Sequence, residues 1–206
     1  MLGGMVASPA PAHQPPASPD DRDERVTLHG VDWWQYETML AIRGDRSVPR
    51  IAFLDGELEL MSPSKTHEVI KKRLARLLEA YAEEQGLYFN GYGSLTMKSA
   101  PKVRGVEPDE CYAVGRDKDS PDLAIEVIWT SGGVDKRRIY AGLGVRELWE
   151  WREGRIDVLV LDGDVYRAVQ RSEVLPDLDL AALARFVEVE DQTQAVRAFR
   201  SSLRTP

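Results

Sequence analysis

Apolar residues along this chain follow two spacings, one typical of helices and one typical of strands. Residues 31–43 place aromatic and aliphatic side chains at helical spacing and predict a first helix. The stretch RIAFLDGELELM, residues 50–61, predicts a β-hairpin, because Asp55 and Gly56 form a favoured two-residue turn between two strand-like runs. The first part of the chain is therefore expected to fold as a helix followed by a hairpin.

A long helix is expected directly after the hairpin. Ser62 and Pro63 match a helix N-cap followed by proline in the first turn, and the helical pattern continues to about Gln85. Apolar residues at helical spacing are expected to form its buried stripe: Ile70, Leu74, Leu77, Leu78 and Tyr81.

Short strands are expected to dominate the rest of the chain. They are predicted within residues 87–98, 109–115, 122–129, 146–152, 155–161 and 164–170. A helix is expected over 134–143, and the C-terminus from Leu180 onward is expected to be helical in two pieces. This order of elements predicts an α/β (α+β) fold, in which a mixed β-sheet is flanked by helices.

The composition predicts a domain boundary and a location in the cell. Residues 1–24 are rich in Pro, Ala and Ser and then acidic, so we expect a disordered N-terminal leader before a single domain over residues 25–206. No apolar stretch has the length of a membrane span, no signal peptide is recognisable, and Cys111 is the only cysteine. We therefore expect a cytoplasmic protein that does not bind membranes.

The net charge of the chain restricts how it could bind nucleic acid. The formal net charge of −7 and the isoelectric point of about 5.1 argue against nonspecific binding by the whole surface. A local basic groove remains possible, because acidic residues cluster at 20–24 and 188–192. Lys71, Lys72 and Arg137 are candidates for contacts with a phosphate backbone, and a solvated helix face is the alternative interpretation.

One carboxylate interrupts an apolar run of the kind that makes a buried strand. Glu126 lies in the middle of LAIEVIW, and Asp109 opens the strand before it. If the two strands are neighbours, the carboxylates converge, and they would repel each other unless a cation lay between them. Carboxylate oxygens suit Mg²⁺ or Mn²⁺, which takes one or two protein carboxylates and keeps waters for a phosphate substrate.

Lys136 occupies the apolar stripe of the helix that follows. It falls at helical spacing with Ile139, Tyr140 and Leu143, so its ammonium is expected to point toward the two carboxylates. A lysine in that place can orient a metal-bound water and offset the charge that develops on a phosphate during hydrolysis.

With these residues in place, the chain resembles a known family. VEPDECYAV (106–114) and DLAIEVIWTSGGVDKRRIYAGLGVRELWEW (122–151) are similar to the PD-(D/E)XK nuclease superfamily and, more narrowly, to the Uma2-like (DUF820) proteins. The upstream stretch FLDGELELMSPSKTHEVIKKRLARLL (53–78) matches the DGEL–MSPS–H–helix pattern of that family. The resemblance implies the restriction endonuclease-like fold. It also implies a metal-dependent endonuclease that hydrolyses phosphodiester bonds of nucleic acid, DNA rather than RNA, and acts as a homodimer.

The resemblance also assigns roles to individual residues. It makes Asp109 and Glu126 catalytic metal ligands, assisted by the carbonyl of Val127. Two positions after Glu126, where the motif name expects lysine, this chain has Ile128, and Lys136 from the next helix supplies the lysine that positions the attacking water.

Two further residues come from the upstream part of the resemblance. Glu57, after the hairpin turn, is implied as an additional catalytic carboxylate, and His67, near the start of the long helix, is implied in a supporting role. From the residues alone, Glu57 could instead be solvated together with Glu59 on the outer face of the hairpin. His67 could likewise be a capping or hydrogen-bonding histidine.

Alternative functions remain open at this point. A noncatalytic protein- or nucleic-acid-binding module could keep the same fold, with Glu126 in a structural ion pair and Lys136 extended to solvent. A metal-dependent hydrolase of small phosphate esters is a second alternative. A histidine-based hydrolase is disfavoured, because the chain has only three histidines and no serine in a nucleophile-elbow pattern.

Overall fold

The computed structural model describes residues 21–116, 118, 120–129 and 132–204. Within these residues the strands are β1 (Glu24–His29), β2 (Arg50–Leu54), β3 (Glu57–Ser62), β4 (Phe89–Gly91), β5 (Met97–Ser99), β6 (Arg104–Val106), β7 (Glu110–Val114), β8 (Leu123–Val127), β9 (Glu147–Arg152), β10 (Arg155–Asp162) and β11 (Val165–Val169). The helices are α1 (Trp33–Arg43), α2 (Lys65–Gln85), α3 (Lys136–Leu143), α4 (Leu180–Val187) and α5 (Gln192–Arg204). Among the described residues, no helix combines the length and apolar character needed to cross a membrane.

The strands divide between two sheets. The smaller sheet has the order β1-β3-β2-β6-β5, and its pairs are antiparallel. The larger sheet has the order β11-β10-β9-β8-β7-β4, in which β8 and β9 are parallel. The connection between these two parallel strands runs through α3, as a parallel pair requires a crossover. The predicted α+β class is confirmed. The predicted hairpin, β2 and β3, lies in the smaller sheet and not in the larger one.

Apolar side chains cover both faces of the larger sheet. On one face, Ile125 and Trp149 pack against α2, α4 and α5. On the other face, Ala124 and Leu148 pack against α3 and against β2 of the smaller sheet. Because side chains two positions apart on a strand point to the same side, Glu126 shares the second face with Ala124. The layer between the two sheets is therefore where Glu126 enters the core.

The ends of α2 follow from local capping residues. The Ser64 hydroxyl accepts the backbone N–H of His67 at 3.2 Å, and Gly86 ends the helix in the left-handed conformation. The prediction that Ser62 is the N-cap is wrong by two residues, because Ser62 still pairs with Glu24 as the last residue of β3.

The start of α3 is also capped by a local side chain. Asp135 accepts the backbone N–H of Arg138 at 3.2 Å, and Gly144 ends the helix in the left-handed conformation. Because Lys136 is the first residue of α3, this cap determines the direction in which the lysine side chain leaves the backbone.

Two strands were not predicted from the sequence, β1 and the short β6. In β1, Val26 and Leu28 alternate with polar residues but stay 55% and 41% exposed, so the strand is held by its pairing with β3. Residues 21–24 were expected to belong to the disordered leader, but Asp21 accepts the backbone N–H of Thr66 and thereby contacts α2. Residues 1–20 lie outside the described part of the chain.

Candidate active site

The two motif carboxylates lie on neighbouring antiparallel strands. Glu110 of β7 pairs with Ile125 of β8, so Asp109 lies opposite Glu126 one residue further along the register. The Oδ2 atom of Asp109 accepts the backbone N–H of Val127 at 2.6 Å. Both residues are almost fully buried, Asp109 at 1% exposure and Glu126 at 2%. The adjacent strands on which the sequence argument depended are therefore present.

Two donors from α3 hold Glu126. The Nζ atom of Lys136 lies 2.6 Å from Oε2, and the Tyr140 hydroxyl donates to Oε1. Only 17% of the Lys136 side chain is exposed, so the lysine points inward, as its place in the apolar stripe predicted. Burial, and then the charge of Glu126, raises the pKa of Tyr140 well above its usual value, so this hydroxyl stays a neutral donor.

Basic side chains from two other elements hold Asp109. The Nε2 atom of His67 on α2 lies 2.9 Å from Oδ1, and Arg50 of β2 forms an ion pair with the same oxygen. The buried Arg50 also contacts Glu68 at 2.8 Å. The motif aspartate is thus connected to α2 and to both sheets, which restricts its orientation.

His67 bridges two carboxylates in the core. It is fully buried, with Nδ1 3.1 Å from Asp23 and Nε2 2.9 Å from Asp109. Burial raises the pKa of Asp23, but hydrogen bonds from His67 and from the backbone of Ser64 outweigh it and lower the pKa below its usual value. The residue that the sequence placed in a supporting role thus lies between the motif aspartate and the segment before β1.

Glu59 is a further buried carboxylate, which the sequence pattern does not single out as a site residue. It is 2% exposed and lies opposite Ala52, which packs in the same apolar cluster as Ala124. Because Ala124 and Glu126 share a face of β8, Glu59 of the smaller sheet faces the layer that holds Glu126 of the larger sheet. A β-carbon on Gly133 would collide with the Glu59 carboxylate, which therefore lies against the turn that leads into α3.

Glu57 lies at the turn end of β3 and outside this cluster. Its side chain is 49% exposed, and its Oε1 atom lies 3.3 Å from Nδ1 of His29. Of the two glutamates, it is therefore Glu59 rather than Glu57 that is buried between the sheets. The only available sequence signal was that both glutamates fall on the same face of one strand.

The basic residues of α2 are partly occupied by structural contacts. Lys71 lies 2.5 Å from Glu68 and is 17% exposed, whereas Lys72 is exposed. Arg73 and Arg76 hydrogen-bond to the region where α4 ends and α5 begins. Of the two predicted phosphate contacts on this helix, only Lys72 is open to solvent.

Arg137, the third predicted phosphate contact, is held by a strand of the larger sheet. Its Nε and Nη2 atoms donate to the two carboxylate oxygens of Glu150 on β9, both at 2.7 Å. Half of its side chain remains exposed. Arg137 thus lies next to Lys136 in the chain and at the surface beside the buried charges.

Comparison with known proteins determines the family. A sequence model of Uma2, described as "Putative restriction endonuclease", matches residues 33–195. The chain belongs to the Uma2 family. The resemblance inferred from the sequence motifs is thereby confirmed. No match was found among curated proteins.

One solved structure similar to this Uma2 protein is that of a "putative nuclease belonging to DUF820" from Anabaena variabilis. It is 14% identical to this chain, with a TM-score of 0.48, and the match covers 78% of this chain and 96% of that one. The residues matched by the Uma2 model include Glu59, Asp109, Glu126 and Lys136. Asp23 and β1 precede the matched range.

The donor set of this Uma2 protein fits a hard divalent cation. Among the described residues, no three His, Cys, Asp or Glu side chains form a preformed metal-binding group. Mg²⁺, however, needs only one or two protein carboxylates and completes its shell with water and phosphate. A carboxylate has about four lone-pair positions, and Glu126 receives hydrogen bonds at only two of them, so it can still accept a metal.

Proposed function

We propose that this Uma2 protein is a divalent-metal-dependent endonuclease that hydrolyses phosphodiester bonds of DNA. The observation that carries the proposal is the contact of 2.6 Å between the Lys136 ammonium and Glu126, beside Asp109 on the neighbouring strand. Buried carboxylates and an inward lysine are the groups that metal-assisted phosphoryl chemistry requires. The restriction endonuclease description of the family supports DNA as the substrate.

Each side chain of the site has a proposed role that follows from its chemical group and its contacts. Asp109 and Glu126, with the carbonyl of Val127, would hold Mg²⁺ or Mn²⁺, and the cation would supply Lewis-acid chemistry for hydrolysis of the phosphodiester. Lys136 orients the attacking water and offsets negative charge on the phosphate. Glu59 supplies a further carboxylate, directly or through water, from the opposite sheet. His67 and Arg50 keep Asp109 in place.

The proposed activity is tested by substituting Lys136. We expect Lys136→Met to lower DNA cleavage at least about 100-fold, since a positioned electrostatic group is worth that much or more in a closed site. Supercoiled plasmid, RNA and a nucleotide panel should be incubated with Mg²⁺, with Mn²⁺ and with a chelator. Lys98→Met is the matched control, because Lys98 is 41% exposed and pairs with Glu37 away from the site.

The outcomes separate the candidate functions. Equal cleavage by the two lysine variants, or cleavage that survives the chelator, would contradict the proposal. Hydrolysis of nucleotides without cleavage of DNA or RNA would identify a hydrolase of small phosphate esters instead.

A noncatalytic binding module is the second candidate. It is favoured by the mutual pairing of the charges, since Lys136 and Tyr140 already pair with Glu126, and His67 and Arg50 with Asp109. Nucleic-acid binding without hydrolysis, unaffected by divalent cations, would support this second function.

Gly133 offers a test of the geometry around Glu59. Gly133→Ala is expected to reduce cleavage by about 10-fold or more, because its β-carbon would displace the Glu59 carboxylate and a misplacement of about 1 Å can cost 100-fold in rate. Gly132→Ala is the matched control: Gly132 also has a positive φ, +112° against +95°, but nothing lies within 4 Å of its β-carbon. Steady-state cleavage rates that are equal in the two variants would contradict a role for Glu59.

A further inference from the structure

Another buried carboxylate of the larger sheet, Glu150, pairs with charged side chains next to the proposed active site. Glu150 on β9 is the in-register parallel partner of Glu126 on β8, so the two side chains lie on the same face of the sheet. Their backbones are separated by the spacing of neighbouring strands, about 4.8 Å. Only 7% of the Glu150 side chain is exposed. It therefore lies beside the proposed site and faces α3.

Glu150 binds two arginines from different elements. Arg137 of α3 donates two hydrogen bonds to it at 2.7 Å, and Nη2 of Arg152 lies 3.5 Å from Oε2. Burial raises the pKa of Glu150, but the hydrogen bonds and positive charges of Arg137 and Arg152 together outweigh that effect and lower it, so the carboxylate is charged. Arg137, Arg152 and Glu150 together carry a net charge of +1, and Asp157 on β10, opposite Glu150, and Asp135, the N-cap of α3, also act on Arg137.

Both guanidinium groups keep capacity for a further ligand. Arg137 is 50% exposed and Arg152 is 38% exposed. A guanidinium has five N–H donors, and Arg137 uses two of them on Glu150. An arginine whose position is already restricted by a buried carboxylate loses little further freedom when it binds a phosphate in the bidentate geometry that suits it.

We propose that Glu150 is a positioning residue that holds Arg137 and Arg152 as a clamp for a backbone phosphate of the bound nucleic acid. The clamped phosphate flanks the one that is cleaved, because Arg137 directly follows Lys136 and Glu150 lies beside Glu126. This inference rests on the proposed nuclease function. It adds the contact by which the acidic protein holds its polyanionic substrate.

A neighbouring ion pair provides a matched control on the same helix. Arg138 follows Arg137, is 60% exposed and lies 2.8 Å from Asp55 at the hairpin turn. Arg138→Gln and Asp55→Asn therefore make the same changes in net charge as Arg137→Gln and Glu150→Gln, but away from the clamp.

The experiment measures binding of a labelled DNA duplex by fluorescence anisotropy over a series of salt concentrations, together with kcat and KM for cleavage. Arg137→Gln is expected to weaken binding about 10-fold and to reduce the slope of log K against log salt by about 0.9, the value for one lost phosphate contact. Glu150→Gln is expected to weaken binding and raise KM at unchanged kcat, although it removes a negative charge. The two control variants should bind within about twofold of the wild type.

The sign of the Glu150→Gln effect decides the inference. Net charge alone would make this variant bind DNA more tightly, as it would Asp55→Asn. Binding by Glu150→Gln that is equal to or tighter than that of the wild type, or equal losses in Arg137→Gln and Arg138→Gln, would overturn the clamp. Arg137→Lys, which keeps the charge but not the fork, should also bind more weakly and covers the case of a poorly folded glutamine variant. A wild type that cleaves DNA while these outcomes fail overturns only the clamp, whereas a wild type that neither binds nor cleaves overturns the proposed function as well.

Discussion

Replacing Glu126 with glutamine is expected to lower the rate of DNA cleavage by about 1000-fold, at the upper end of what removing one electrostatic group from a closed site costs. The amide cannot supply the negative charge that holds a divalent cation. The substitution also leaves Lys136, with 17% of its side chain exposed, without the carboxylate that positions it. Both the proposed metal site and the proposed water-orienting lysine are therefore lost together.

Two measurements check this expectation. Cleavage should be measured with saturating Mn²⁺, and thermal unfolding should be followed with and without the metal, since a ligand at 100 times its Kd stabilises the folded state by about 2.7 kcal/mol. Mn²⁺ should raise the melting temperature of the wild type and not that of Glu126→Gln. The half-exposed Glu57, changed to glutamine, is the matched control and should retain both responses. If the Glu126 variant keeps its activity or its metal response, the proposed centre is wrong.

The largest effect on stability is expected from Glu147→Ala, at about 3 kcal/mol of unfolding free energy. Glu147 is fully buried, and its carboxylate accepts hydrogen bonds from the Trp149 indole and the Ser172 hydroxyl, both at 2.5 Å. It also accepts the backbone N–H groups of Glu173 at 2.8 Å and Val174 at 3.2 Å. Alanine would leave the buried indole and hydroxyl donors unpaired, and each unpaired buried group costs about 1–3 kcal/mol, whereas the two N–H groups are only partly buried.

The loss of stability is measured by urea unfolding and by the melting temperature. For a protein of this size, about 3 kcal/mol corresponds to a decrease of about 6–12 °C. Glu173→Ala is the control, since it keeps the backbone N–H that contacts Glu147 and removes only an exposed pair with Arg146, 3.5 Å apart. Similar melting temperatures for the two variants would show that Glu147 is not an anchor of this segment.

Sequence patterns predicted the structure correctly where residues close together in the chain determine it. The Asp55-Gly56 hairpin and the apolar stripe of α2 formed as predicted. Lys136 points inward because residues three and four apart share a helix face. The buried run around Glu126 became β8 for the same kind of local reason.

The sequence did not predict which residues from distant segments of the chain contact each other. Glu57 and Glu59 share a strand face, and only the packing of the Gly133 turn shows which of them is buried. Asp23 was assigned to a disordered leader, yet it contacts His67 from 44 positions away. Nothing in the local pattern around either residue indicates its partner.

The amino-acid sequence by itself thus determined the helices, the hairpin, the family and the three motif charges of this protein. Only the tertiary structure decided which further charges are buried in the same layer: Glu59 from the smaller sheet, and Glu150 of β9, which pairs with Arg137 and Arg152. The physical reason is that backbone preference acts over a few residues, whereas the burial and pairing of a charge depend on whatever the whole fold packs around it.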